Sequence, residues 1–238
     1  MTEIPHALPQ SDAAVVFIHG QPGCAADFSK LVKRLPVAVQ FITYDRPGWG
    51  ESARGVTDVD GNVKYLMEEI VATNYSGVIL VGYSYGSVIA LRAAIDYPER
   101  VMGLVLVSPV GGTGSISVLD KAMAILAKYL QFLPIITSFL TREQRQFKVV
   151  QSFEAEQVHL VAELVRLSEY ISNIRLPVEL IAGMDDLVNP LHGTLELFDL
   201  LPNSRLSLIK GAGHLLIIQM PEKIIEKILD MWSGESDR

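Results

Sequence analysis

The sequence predicts an α/β fold: a mostly parallel central sheet flanked by helices, with an all-helical segment inserted between two of its strands. Three observations carry this reading. Short apolar runs recur, each followed by turn residues and then a helical pattern, which is the rhythm of strands covered by helices on both faces. The rhythm stops from about Gly111 to Asn173, where no strand pattern stands out. It resumes at Pro177 and runs to an amphipathic C-terminal helix. The chain has 238 residues and is 49% hydrophobic, which suits one sizeable core with an insertion better than two domains. The expected organisation is therefore 1–110 for the first part of the core, 111–173 for the helical insertion and 174–238 for the second part.

Taken in order, Ala13 to Ile18 reads as a buried strand ending at His19-Gly20-Gln21-Pro22-Gly23. Phe28 to Leu35 reads as a short helix stopped by Pro36, and Val37 to Thr43 as a second strand. Asp58 to Asn74 reads as a helix, Val78 to Val81 as a strand, and Val101 to Val107 as another. Gly111-Gly112-Thr113-Gly114 is a flexible entry to the insertion, whose middle carries Arg142-Glu143-Gln144-Arg145. Strands are expected again at Pro177 to Ala182 and Arg205 to Ile209, and a helix from Pro221 to Trp232 with proline at its start.

Composition narrows the function. The net charge of −7 and the lack of a basic cluster disfavour a nucleic-acid partner. A single cysteine, Cys24, excludes an internal disulfide and offers no zinc spacing. The first residues lack the basic flank and apolar centre of a secretory signal, which makes the cytoplasm the expected location. The longest apolar tract, Ile116 to Leu140, is interrupted by Asp120, Lys121 and Lys128 and broken by Pro134. It falls short of the roughly 20-residue uninterrupted run of a bilayer span, so a buried or cleft-covering helical hairpin is expected, without stable membrane insertion.

The chemistry centres on Ser84 in Gly82-Tyr83-Ser84-Tyr85-Gly86, which fits G-x-S-x-G directly after an apolar strand and before a helical pattern. Such a turn exposes one hydroxyl at a strand's carboxyl end, where open α/β sheets place their sites. A serine hydroxyl needs a base within hydrogen-bond reach and a third group to hold that base. Of the five histidines, His214 is the strongest candidate, because Gly211-Ala212-Gly213 presents it just after a strand. His19 also ends a strand but opens a tight turn, so a structural or oxyanion-loop part fits it better. His6, His159 and His192 read as ordinary surface or packing residues. The orienting acid is Asp185 or Asp186, and sequence physics alone scarcely separates them. Oxyanion donors are expected from the backbone N–H groups of Tyr85 and Gln21; Pro22 has none to give. Cys24 lacks a positioned base. Tyr83, Tyr85 and Trp49 are open between shaping a pocket and packing the turn, while Phe132, Phe139 and Phe153 read as core. An apolar cover over the serine favours a small-molecule substrate with an apolar portion.

These strings, with Asp45-Arg46-Pro47-Gly48-Trp49-Gly50-Glu51-Ser52 and Gly183 through Pro190, resemble the α/β-hydrolase superfamily with a helical cap, over essentially the whole chain after Ala13. The order Ser84, Asp, His214 is the one such enzymes use. The resemblance implies Asp186 as the acid, three residues after Gly183 and four before Pro190, and supports Gln21 in the oxyanion loop. Serine at 84 argues against the aspartate-nucleophile dehalogenases and epoxide hydrolases. Ser87 departs from the small residue, often glycine, that usually follows the motif. The implied reaction is acyl transfer to water without metal or organic cofactor, by a monomer or homodimer. A carboxylesterase acting on a small or medium apolar ester is the leading expectation. A carbon–carbon bond hydrolase of ring-cleavage products is the alternative, with Arg142, Arg145 or Arg166 meeting a substrate carboxylate. A proline-directed aminopeptidase would need an acidic site among Glu154, Glu156 and Glu163, which a solvated helix face otherwise explains. Outside enzymes, a receptor or interaction protein on a hydrolase scaffold remains.

Overall fold

Six parallel strands form one sheet in the order β2-β1-β3-β4-β5-β6 in the computed structural model, which describes residues 12–71, 75–110 and 144–234. The strands are β1 (Ala13–Ile18), β2 (Phe41–Thr43), β3 (Gly77–Tyr83), β4 (Val101–Val107), β5 (Val178–Gly183) and β6 (Ser204–Ile209). The helices are α1 (Ser29–Val32), α2 (Val59–Lys64), α3 (Gly86–Asp96), α4 (Gln144–Tyr170), α5 (Leu191–Leu200), α6 (Leu216–Gln219) and α7 (Pro221–Trp232).

Successive strand side chains face opposite ways, so each strand feeds two cores. Ala14, Val16 and Ile18 of β1, with Val78 and Leu80 of β3, join α2, α3 and the Leu160, Leu164 and Leu167 stripe of α4. Val15 and Phe17, with Ile79 and Val81, join Phe28 and Leu31 and the Ile224, Ile225, Ile228 and Met231 face of α7. Residues i, i+4 and i+7 of α7 (224, 228, 231) are the apolar stripe that the sequence shows, and burying each such side chain stabilises the fold by about 1.5–3 kcal/mol. The sheet leaves room for this helix: a Cβ on Gly103 of β4 would stand 2.3 Å from Met231 Sδ.

The expected α/β architecture with an inserted helical cap is present, and α4 is the described part of that insertion, between β4 and β5. Three elements differ from expectation. The second strand is only Phe41–Thr43, because Val39 N–H bonds Pro36 C=O at 2.9 Å and turns the chain there, leaving Val37 fully exposed. The first helix is a 3-10 turn, Ala25–Phe28, running into α1, which ends before Leu35. The helix after Asp58, whose carboxylate caps Gly61 N–H at 2.9 Å, widens into a π turn over Tyr65–Val71. The α5 helix was not foreseen. The expectations for His6, for Gly111 to Gly114, for Ile116 to Leu140 with Phe132 and Phe139, and for the Arg142 and Arg145 side chains lie outside the described residues.

Candidate active site

All six strands point the same way, so the loops after β1, β3, β5 and β6 meet at one edge. Ser84 follows β3 with φ of +52°, a left-handed conformation that a non-glycine residue adopts only when its surroundings enforce it. Those surroundings are visible. Ser84 N–H continues the ladder to Val107 C=O at 3.0 Å, and its own C=O accepts from Ser87 N–H at 2.9 Å. A Cβ on Gly86 would lie 2.1 Å from the Ile18 carbonyl oxygen, so only glycine lets α3 start this close to β1. Ser87 is buried and its hydroxyl donates to Gly82 C=O at 3.1 Å, closing the turn from inside.

Of the two adjacent aspartates, Asp186 is buried and Asp185 exposed. Asp186 Oδ2 accepts from His214 Nδ1 at 2.8 Å. Its Oδ1 accepts from Val188 N–H at 2.9 Å and Asn189 N–H at 2.8 Å, which fixes the carboxylate with one oxygen aimed at the ring. The His214 loop is secured in turn: its C=O accepts from Ser108 Oγ at 3.1 Å and from Tyr83 Oη at 3.3 Å. The Tyr83 ring lies 5.3 Å from the imidazole, and burial, then the charges of Asp186 and Asp27, push its phenol well above the usual tyrosine range, so it stays a donor.

Ser84 Oγ has Asn189 Nδ2 as its partner, at 3.5 Å, the far edge of hydrogen-bond range. The same amide donates to Ser108 C=O at 2.7 Å. The Ser84–His214 hydrogen bond expected from sequence is not formed in this structure. Asn189, which sequence reasoning passed over, therefore ties the serine turn to the Asp186 loop. Its only sequence signal was its place within Gly183 through Pro190.

His19 is fully buried, and burial followed by the nearby Arg46 charge holds its pKa well below the ordinary histidine value. Its Nε2 accepts from Arg46 N–H at 3.0 Å, so the proton sits on Nδ1, which donates to Gly20 C=O at 2.9 Å. That is the structural part anticipated for it. His159 and His192 are exposed. Burial, the largest cause, raises the Cys24 thiol pKa, which disfavours the nucleophilic thiolate. Tyr85 and Trp49 are buried packing residues beside Arg46, and Phe153 is partly buried.

The expected solvated face for Glu156 and Glu163 is wrong. Glu156 is 1% exposed and receives Arg46 Nη1, Arg46 Nη2 at 3.3 Å and Trp49 Nε1 at 3.0 Å. Glu163 is buried and receives Arg92 Nη1 at 2.6 Å. Both carboxylates are spent on arginines, so neither is offered to a substrate amine. Arg166 lies 3.9 Å from Asp60, beside the Arg92 cluster. Among the described residues, no helix is long and apolar enough to cross a membrane.

Residues 15–227 match the alpha/beta hydrolase family, and the chain belongs to it. It is an α/β-hydrolase-fold enzyme with residues positioned like a catalytic triad. Three relatives illustrate the range. The chain is 26% identical to a 2-hydroxy-6-oxo-2,4-heptadienoate hydrolase of Pseudomonas putida, over 93% of this chain and 89% of that one. It is 28% identical to a 2-hydroxy-6-oxononadienedioate/2-hydroxy-6-oxononatrienedioate hydrolase of Paraburkholderia phymatum, over 91% and 85%. It is 26% identical to the human monoacylglycerol lipase ABHD6, over 93% and 76%.

Proposed function

We propose that this enzyme is a serine hydrolase that cleaves the carbon–carbon bond beside the ketone of ring-cleavage products, unsaturated oxo acids in which that ketone is conjugated to a distant carboxylate end. The observation that carries the serine chemistry is the 2.8 Å contact of His214 Nδ1 with the doubly anchored Asp186, beside a serine held at positive φ. With Nδ1 donating to Asp186, Nε2 is left as the free base.

In the cycle, the Ser84 hydroxyl leaves Asn189 by rotation about Cα–Cβ and turns to His214; catalytic hydrogen bonds of unliganded sites commonly form only with substrate present. Its oxygen attacks the ketone while Nε2 takes the proton. The Tyr85 N–H, which precedes the hydrogen-bonded turns of α3, and the Gln21 N–H stabilise the oxyanion. The carbon–carbon bond then breaks. For this the substrate reacts as its keto tautomer, its 2-hydroxyl proton having moved to the carbon beside the ketone. The electron pair of the broken bond then passes through the remaining double bond onto the 2-oxo group as an extended enolate, whose oxygen takes the imidazolium proton. Water, deprotonated by the same imidazole, releases the acyl group as a carboxylic acid.

The substrate class draws its support from two relatives named for such compounds, each matched over more than nine-tenths of this chain. Ester hydrolysis is the second reading. It needs the same residues, with an alcohol as the leaving group. The monoacylglycerol lipase likeness favours it, as do Leu187 and Leu215, apolar and exposed directly after Asp186 and His214. The deciding experiment measures kcat/KM on 2-hydroxy-6-oxohepta-2,4-dienoate, p-nitrophenyl butyrate and a monoacylglycerol, for the native enzyme and Ser84→Ala. The dienoate is expected to be the best of the three. An ester preferred by more than about 100-fold, roughly 2.7 kcal/mol in the barrier, replaces the first reading by the second. Equal rates for native enzyme and Ser84→Ala refute the serine mechanism.

A further inference from the structure

We infer that Glu156, on the inserted helix α4, is a positioning residue for the oxyanion hole and acts through Arg46 on the Gly20–Gln21 peptide. The inference rests on the serine-hydrolase reading above, which gives the Gln21 N–H its task. A trans peptide unit is planar, so the Gly20 C=O and the Gln21 N–H point in opposite directions. The direction of one dictates that of the other.

The Gly20 oxygen is gripped by two donors, His19 Nδ1 at 2.9 Å and Arg46 Nη2 at 2.9 Å. This peptide stands against the serine turn: a Cβ on Gly20 would lie 2.9 Å from Ser84 Cβ and 3.2 Å from Tyr83 C=O. Arg46 is fully buried, with its guanidinium 5.1 Å from the Tyr85 ring centre and 5.5 Å from that of Trp49. It thus touches the residues of both proposed oxyanion donors, Tyr85 by its ring and Gln21 through the shared peptide. What holds Arg46 in place is Glu156, which accepts from both terminal guanidinium nitrogens and also fixes Trp49 Nε1. The rest of the cage is Asn62 Oδ1, at 3.4 Å from Nη1. A cationic donor on the amide oxygen also polarises the peptide and strengthens its N–H as a donor. One carboxylate on the inserted helix therefore sets the geometry at the far side of the site.

A second ion pair provides the control. Glu163, two turns further along α4, ties the same helix to Arg92, a residue with no bond to Gly20. Glu156→Gln and Glu163→Gln are compared using whichever of the dienoate and p-nitrophenyl butyrate the native enzyme turns over. Full loss of one oxyanion donor costs about 10²–10³ in kcat, and misaiming it costs less. Glu156→Gln is expected to lower kcat by about 10- to 100-fold with KM within about twofold, and to weaken binding of an arylboronic acid, a charged tetrahedral mimic on Ser84, by a similar factor. Glu163→Gln is expected to change neither by more than about twofold.

Glu156→Gln strands a buried cation, so a double variant, Arg46→Met with Glu156→Met, replaces the pair by two apolar side chains and keeps the packing. It is expected to melt cooperatively and to show the same loss of kcat and of boronate affinity. Native kcat in either folded variant overturns the inference, as does an equal loss in Glu163→Gln, which would mean that anchoring α4 anywhere suffices. Ser84→Ala, run alongside, separates the failures. If it is inactive while the Glu156 variants keep native kcat, only the positioning role falls. If it is active, the serine chemistry falls and takes this inference with it.

Discussion

Replacing Asp186 by asparagine changes one atom and is expected to reverse the hydrogen bond on which the base depends. Asp186 Oδ1 accepts two backbone N–H groups, from Val188 and Asn189. The asparagine oxygen will therefore occupy that position, since an NH2 there would face two donors. Its Nδ2 then takes the place of Oδ2, 2.8 Å from His214 Nδ1, and donates to it. The imidazole must then accept at Nδ1 and carry its proton on Nε2, the nitrogen that the proposed mechanism needs free to receive the Ser84 proton. Trapping the wrong tautomer in a comparable serine triad lowers kcat by about 10⁴, roughly 5.5 kcal/mol in the barrier. The expected result for Asp186→Asn is a loss of kcat of that order, with KM little changed and the thermal midpoint within a few degrees of native. Asp185→Asn, at an exposed position, is expected to stay within about twofold. The assay is steady-state kinetics at saturating substrate, with circular dichroism to establish folding. A folded Asp186→Asn enzyme that keeps more than a tenth of native kcat, or an Asp185→Asn enzyme that loses activity in its place, refutes this reasoning.

Two further outcomes concern stability. In Gly86→Ala the new methyl would meet backbone atoms of Ile18 and His19, which cannot yield as a side chain would. A loss of about 3 kcal/mol is expected, read as a lower urea midpoint with an unchanged slope. The second follows from His19, whose pKa is depressed in the folded state. Unfolded chain then binds a proton that native protein refuses, so the contribution is complete above the unfolded value of about 6.5 and is lost as pH falls below it. Urea midpoints measured from pH 7.5 to 5 should decline on the acid side, by up to about 1.4 kcal/mol per pH unit from this group. His19→Asn should flatten that part of the curve; an unchanged slope would show that His19 contributes nothing to it.

The legible parts of the molecule were those written locally. Apolar runs with turn residues after them marked β1, β3, β4 and β5, because parallel strands covered on both faces are mostly apolar, while β6, at the sheet edge, showed as alternation. Ser84 and His214 were readable for the same reason: each sits in a glycine-rich turn directly after such a strand. Asp185 and Asp186 could not be told apart by local physics, since adjacent residues share the same composition and differ only in which way the turn aims them. The short edge strand was misjudged because Val37 and Val39 have strand propensity, while the Pro36 turn, a backbone hydrogen bond, decides their conformation. Glu156 was misread for a deeper reason. A glutamate on a helix with charged neighbours normally faces water, and only the partner 110 residues away, Arg46, makes its burial tolerable. Long-range pairing of that kind leaves no local trace.

The register of β4 and β5 pairs Leu104 with Val178 and Val107 with Ile181, so the chain leaves the sheet at the carboxyl end of β4 and re-enters it at the amino end of the adjacent, parallel β5. Closing such an excursion costs entropy that grows only logarithmically, about 0.6 kcal/mol for each doubling of its length. The length of this stretch can therefore change at little entropic cost to the sheet that carries Ser84, Asp186 and His214. The Arg46 partnership sets one condition on such changes: any replacement must bring its own acidic group back to the same buried cation.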